Sequence, residues 1–381
     1  MLLCPEQKSL KLSGTGVTGC CRQEISQRMA KKQVAVALSG GVDSSAAAFL
    51  LQQAGYEVTG IAAHLWSEEK AAGTRHPLWP SAQNIYDAEQ ICLTLGIPFH
   101  LIDLENEFKQ YVVDYFCQEY TQGRTPNPCI ACNQHIKFGF LLEHALSLGV
   151  NYLATGHYVK LEYLDETYHL FKGIDSSKDQ SYVLYTLGQD KLAHLLFPLG
   201  DYTKAEVIKL ARQRGLPAAG RPSSQDICFI STDYSTFLRQ HFTIAPGDIV
   251  NRQGKVLGKH EGAALYTIGQ RHGLGLTATT PLYVTKIEPD TNRITVGSGK
   301  DLCSSGLIAG KVNWVSGKPP SEPITVSVKI RYRSPEVTAI LYPKPDSAEI
   351  RFHQPQRAIT PGQAVVFYQD SEVLGGGTIE N

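Results

Sequence analysis

The chain has no excess charge of either sign: Lys and Arg together number 36, and so do Asp and Glu. Neither a strongly basic polyanion-binding protein nor an acidic solvating chain fits that balance, so any nucleic acid must be met by a local patch. No apolar run approaches the roughly 18 residues that a membrane-spanning helix needs. The first thirty residues lack the apolar core of a signal peptide. The expectation is a soluble, cytoplasmic protein with no membrane partner. There is no internal repeat and no low-complexity tract. The nine cysteines are odd in number and irregularly spaced, which argues against a disulfide framework and for reduced thiols. Cys92 and Cys117 fall among apolar neighbours in helical patterns and are expected to be inert core residues. Finally, no GxxxxGK[ST] occurs, which excludes the ordinary phosphate loop of kinases and GTPases.

What is present divides the 381 residues into regimes. Residues 1–30 show no period and read as a disordered extension, with Met29 just before the first strand. From Gln33 strands (33–38, 56–63, 97–103, 150–154) alternate with helices (43–54, 81–95, 105–120, 132–148). That alternation predicts a parallel sheet covered on both faces, with ligands beyond the carboxyl ends of its strands. Near Asp233 the pattern turns Gly-rich with short β-elements. After Leu302 five short strands with Pro and Gly punctuation read as a compact β-barrel. The expected fold is therefore α/β with a parallel-sheet nucleotide domain over 31–232. A small β-rich domain over 233–302 and a β-barrel over 303–381 follow it.

The junction of the first strand and helix reads Ser-Gly-Gly-Val-Asp-Ser (Ser39–Ser44). Two glycines permit a tight turn and close ligand approach, and the helix that follows offers unpaired N–H groups to an anion. Ser39, Ser44 and Ser45 add hydroxyls. The hexapeptide resembles the pyrophosphate loop of the N-type ATP pyrophosphatases. This resemblance implies that the chain splits ATP between its α and β phosphates and adenylates a carbonyl oxygen.

Two cysteine segments stand apart from this loop. In "GRTPNPCIACNQHIKF" a Pro-rich loop runs into a helix expected to start near Cys132, where the helix dipole would favour the thiolate. In "GRPSSQDICFI" Cys228 ends a polar loop. Three assignments remain open at this point: inert thiols with a chance Cys-x-x-Cys, three metal or iron–sulfur ligands (Cys129, Cys132, Cys228), or a redox pair of Cys132 and Cys228 working by thiol–disulfide exchange.

With "LATGHY", "KDQSYVLYTL", "YTIGQRHGLG", "IRYR" and "GQAVVFY…VLGGGTIE" added, the chain from Val34 to Glu380 resembles the tRNA-specific 2-thiouridylases of the MnmA type. The resemblance implies ATP-dependent 2-thiolation of the wobble uridine of tRNA through an adenylated uridine, releasing AMP and pyrophosphate. It implies ATP contacts at Ala37, Leu38, Ser39, Gly40, Gly41, Val42, Asp43, Ser44, Ala63 and Gly156, with Mg²⁺ alongside. At Ala63 many members carry a methionine, so that adenine contact departs from the pattern. It also implies that Cys228 carries a persulfide from a sulfur-donor protein and that Cys132 is the nucleophile that reduces or resolves it as a disulfide. Asn127, Pro128 and Cys129 match the segment that meets the target base. Lys178, Asp179 and Gln180 match one tRNA contact, and Arg331 with Tyr332 another. The implied acceptors are the Lys, Glu and Gln tRNAs. Residues 303–360 hold eight Lys/Arg against four Asp/Glu. Along "ITVSVKIRY" alternation sends Ile324, Val326, Val328, Ile330 and Tyr332 to one face and Lys329, Arg331 and Arg333 to the other, where phosphate contacts are expected. Two rivals are a pyrophosphate-loop ligase acting on a free metabolite and a non-catalytic, cluster-bearing RNA-binding protein.

Overall fold

The computed structural model describes residues 32–66, 80–217, 227–230 and 233–380. The extension expected over residues 1–30 lies outside the described residues. Strands β1 (Gln33–Ala37), β2 (Glu57–His64), β3 (Phe99–Asp103), β4 (Tyr152–Ala154) and β7 (Leu195–Leu196) form one all-parallel sheet in the order β3-β2-β1-β4-β7. The last strand was not expected; at two residues it is too short to carry a period. Burial on both faces explains the near-continuous apolar run of β1. Val34 and Val36 pack with α1 (Val42–Gln53), α2 (Pro80–Leu95) and α5 (Lys204–Gln213) on one side. Ala35, Ile61 and Leu153 face Phe108, Phe116, Ile136 and Phe138 on the other. Those four residues come from two long helices, α3 (residues 105–121) and α4 (residues 128–147), each with a stretch of π-helical winding: Lys109–Asp114 in α3 and Cys132–Phe140 in α4.

Beyond this layer the chain forms a hairpin, β5 (Val159–Leu164) with β6 (Thr167–Lys172). It then makes a four-stranded central sheet from β8 (Gly247–Asn251), β9 (Val256–His260), β10 (Tyr283–Glu288) and β11 (Arg293–Gly297), in the order β10-β11-β8-β9. The C-terminal unit holds the five expected strands: β13 (Ile324–Lys329), β14 (Val337–Pro343), β15 (Ser347–Arg357), β16 (Ala364–Gln369) and β17 (Glu372–Ile379). A sixth, β12 (Cys303–Trp314), pairs with β15 and with β17 and so closes the barrel. Hairpin β5–β6 attaches to the outside of that barrel through β17, where Phe171 pairs with Glu372. Val326, Val328 and Ile330 fill the barrel interior, as alternation requires. Tyr332 departs from it: the strand ends at Lys329 and a turn closed by Ser334 N–H to Arg331 O redirects the chain.

Candidate active site

The pyrophosphate-type loop leaves β1 at its carboxyl end. Gly40 takes φ +71°, and a Cβ there would meet Asn84 O at 2.8 Å and the Asp87 Cβ at 2.9 Å. Gly41 is the N-cap of α1 and supplies no side-chain cap. The first helical bond is Ser45 N–H to Gly41 O, so the N–H groups of Val42, Asp43 and Ser44 find no acceptor among the described residues. Those N–H groups and the positive end of α1 together suit an anion. The hydroxyls divide differently from expectation. Ser44 Oγ donates to Gly41 O (3.1 Å) and accepts from Ser39 N–H (3.2 Å), and Ser45 Oγ donates to Val42 O. Both shape the loop; Ser39, whose Oγ lies 3.4 Å from Ser44 Oγ, is the exposed hydroxyl of the three.

Gly156 closes one wall of the loop, since a Cβ there would lie 2.7 Å from Asp43 C and 2.8 Å from Ser44 N. Only glycine lets these backbones approach so closely. Ala63 lies near the end of β2, beside β1 in the sheet and half-buried, at the same carboxyl edge. Asp43 is held by two residues that sequence reasoning missed. Lys204 Nζ reaches its two carboxylate oxygens at 2.6 and 2.7 Å, and Tyr158 Oη donates to Oδ1 at 2.7 Å. Burial and the Asp43 carboxylate raise the Tyr158 phenol, so it stays a donor. Lys204 opens α5, whose Thr203–Glu206 capping box fixes the first turn, and its own N–H donates to Asp175.

The cysteines stand on the other side of this edge. Asn127 caps α4 through Ile130 N–H, with Pro128 in the first turn. The helix therefore begins before Cys129 rather than at Cys132, and Cys132 sits one turn inside. It is buried, and burial raises its thiol instead of the helix end lowering it. Cys129 is exposed, and its thiol is also raised by the surrounding protein. Cys228 is exposed too, yet desolvation, followed by the charges of Cys132 and Cys129, pushes it up to about 12. Three thiols from two segments thus share one neighbourhood, all free. The cation common to them is Lys137, which opposes the upward shift at each and also acts on the buried, neutral His157. Nothing but its place within "CNQHIKF" hinted at that role. The sulfurs do not form a set within 4.8 Å; among the described residues the one such set is His64, Asp103 and Glu105. Cys92 is buried and Cys117 half-buried, and desolvation raises each thiol to about 11.

The segments expected to contact tRNA meet one another. Tyr332 Oη donates to Asp179 O (3.2 Å), its ring lies 5.9 Å from that of Tyr182, and the Cys129 charge acts on its phenol. Asp179 itself is buried and accepts from Gly173 N–H, Ser181 N–H and Ser181 Oγ. Gln180 is strapped to Tyr158 through both its backbone and its side chain. Both side chains build the loop, which leaves Lys178 as the member with no side-chain bond among the described residues. Arg331 does not lie on a solvated strand face. It turns inward, donating to Ala358 O and to Thr360 Oγ1.

Known proteins match the chain in each of its three regions. Residues 32–232 match the family model described as tRNA methyl transferase HUP domain. Residues 235–298 match its PRC-barrel domain, and residues 304–379 match the aminomethyltransferase beta-barrel domain. Proteins called tRNA-specific 2-thiouridylase MnmA are similar across nearly the whole chain. That of Carboxydothermus hydrogenoformans is 47% identical, covering 92% of this chain and 98% of its own. That of Magnetococcus marinus is 47% identical, covering 91% and 99%. That of Symbiobacterium thermophilum is 45% identical, covering 93% of each. Identity at this level over this span leaves one assignment: the chain belongs to the MnmA family of tRNA-specific 2-thiouridylases.

Proposed function

We propose that the chain is an ATP-dependent tRNA-uridine 2-sulfurtransferase that replaces the 2-oxygen of the wobble uridine by sulfur and releases AMP and pyrophosphate. The observation that carries this reading is that Cys228, through its neighbour Phe229, which packs on Phe108 and Phe116, and Cys132 join one core in the same domain as an anion-binding loop. A ligase acting on ammonia or an amino group has no work for such thiols.

The residues fit ATP. The N–H groups of Val42, Asp43 and Ser44, with Ser39, hold its departing β and γ phosphates, and Gly156 leaves room along the loop. Both Asp43 oxygens are taken up by Lys204 and Tyr158, so the Mg²⁺ that accompanies ATP would be carried by the phosphates themselves. Lys204, already at Asp43, supplies a second cation. ATP supplies an adenylyl group that turns the uridine 2-oxygen into a phosphate ester, a far better leaving group. Asn127 and Pro128 order the turn that presents Cys129 to the base, while Lys178, Arg331 and Tyr332 hold the RNA.

Cys228, loaded as a persulfide by a donor protein, attacks C2 with its terminal sulfur, and AMP leaves with the C2–O bond pair. Cys132 then attacks Cys228 Sγ. The S–S bond breaks, its pair stays on the sulfur bound to C2, and a Cys132–Cys228 disulfide forms; an external thiol returns two electrons. Burial keeps Cys132 protonated at neutral pH, and Lys137 is the cation that favours its ionisation.

The test is mass analysis of nucleosides from unmodified Lys, Glu and Gln tRNA after incubation with ATP, Mg²⁺ and a persulfide-carrying sulfur-donor protein. Cys132→Ser and Cys228→Ser should each abolish 2-thiouridine while tRNA-dependent AMP formation persists. Cys129→Ser should be milder. Equal loss in all three variants, with stoichiometric iron in anaerobically purified protein, would instead assign the thiols to an iron–sulfur cluster.

A further inference from the structure

The motif "YTIGQRHGLG" has no part in the chemistry above, yet it lines a cavity of ≈ 580 Å³ where all three parts of the chain meet. Thr125 comes from the loop that leads to Cys129, Thr267 and Tyr283 from the central region, and Arg331, Arg357 and Thr360 from the barrel. The junction is tightly made. Thr125 Oγ1 lies 3.3 Å from Thr267 Oγ1, Gln363 Nε2 donates to Thr125 O (3.0 Å), and Thr125 N–H donates to Pro361 O (2.8 Å). A Cβ on Gly362 would meet Thr125 N at 2.8 Å, and one on Gly269 would meet the Ala358 Cβ at 2.8 Å.

The charge of the cavity is one-sided. Its lining holds two guanidiniums and no carboxylate, and neither arginine has an acidic partner among the described residues. Arg357 lies over the Tyr283 ring with its guanidinium carbon 4.5 Å from the centroid, which fixes its plane while leaving its donors open. Arg331 uses one nitrogen on Ala358 O and Thr360 Oγ1, and the rest of its fork is free. The two cations repel one another, and desolvation adds to that cost. Two unpaired arginines facing one concave space are what a phosphate would bridge. Thr125, in the lining, belongs to the same short loop as Asn127, Pro128 and Cys129, so the cavity adjoins the place where the target base is expected.

We propose that this three-way cavity is a nucleotide subsite: it takes the tRNA residue next to the target uridine, with its phosphate held between Arg357 and Arg331. The inference rests on the tRNA reading above and names a further RNA-binding residue, Arg357, together with the wall formed by Thr267, Ile268 and Gly269. A junction that forms only when loop, central region and barrel are in register would make RNA binding itself hold the cysteine loop in place.

The test uses the full chain and an anticodon stem-loop RNA, with Arg357→Gln beside the wild type. Arg357 is exposed, so its removal leaves the core intact. Affinity should fall roughly tenfold, and the slope of log K against log salt should flatten by about 0.7–0.9, one phosphate contact. Arg357→Lys should restore the slope but only part of the affinity, because a point charge lacks the fork. A methylphosphonate at a phosphate flanking the uridine should weaken wild-type binding more than it weakens Arg357→Gln, in which Arg331 alone still meets that phosphate. An unchanged slope in Arg357→Gln, or equal losses from the methylphosphonate in both proteins, overturns the subsite. If wild-type protein neither binds nor thiolates the RNA, the functional reading falls with it; if the wild type thiolates and only the slope fails, the subsite alone falls.

Discussion

At the scale of single residues, Asp43 was legible and its partners were not. The hexapeptide announces a loop carboxylate, but nothing local marks Lys204, far along the chain, or Tyr158 as the groups that hold it. Such pairs are made by folding and leave no period to read. They change what substitution should do. A surface loop residue would be expected to cost little stability, whereas Asp43→Ala strands a largely buried ammonium and a phenol. It should therefore cost about 1–3 kcal/mol, visible as a Tm lower by several degrees, besides abolishing AMP formation. Ser44→Ala removes three weak loop contacts and should leave Tm nearly unmoved while still damaging the loop. Lys204→Met separates the roles further. If Lys204 serves the phosphates, tRNA-dependent AMP release should drop about 100-fold, the usual loss on removing one electrostatic stabiliser. A drop below tenfold would reduce Lys204 to a holder of Asp43.

Elements were read well where they repeat a period and poorly where their ends are set by tertiary contacts. Strand β1, helix α1 and the five later barrel strands followed from pattern alone. The start of α4 did not, because Asn127 acts as a cap only once the Pro-rich loop has turned, and so the thiol thought to benefit from the helix end is buried instead. Strand β12 was missed because glycines and a register shift interrupt its alternation, and its strand character depends on pairing with both β15 and β17. The glycines of β17 show the same dependence. A Cβ on Gly376 would lie 2.7 Å from Tyr185 Cδ2 and 2.7 Å from Val365 O, so the strand is bare where an aromatic from the first domain presses on it. Gly376→Ala should destabilise the protein by about 1–3 kcal/mol, the range for overpacking a filled site. Denaturant unfolding checks it, and a midpoint within error of the wild type would mean that Tyr185 moves aside freely.

At the scale of the molecule, the sequence runs through three successive regimes of pattern, and the contacts join them. Hairpin β5–β6, reached from the parallel-sheet layer, pairs with barrel strand β17, and His169 meets Glu372 across that seam at 2.7 Å. Asn313 of β12 donates to Tyr185 O and Leu187 O, and Tyr182 Oη donates to Ala364 O from within the core. Arg124, paired with Glu119 beneath the cysteine loop, reaches toward Ile379 O at the chain's far end. Contacts of such sequence separation carry no signal in composition or period, which is why the joining was invisible until the fold was in hand. Buried hydrogen bonds and aromatic packing of this kind couple the parts energetically, whereas domains joined only by wet, small interfaces melt apart. The barrel should therefore not unfold ahead of the nucleotide layer. Calorimetry of the full chain should give one dominant transition whose van't Hoff and calorimetric enthalpies approach each other. Adding ATP with Mg²⁺, proposed to bind at the loop of the first layer, should raise that whole transition, barrel included, by mass action. Two well-separated peaks, of which ATP shifts just one, would show that the seam between hairpin and barrel is a contact without cooperativity.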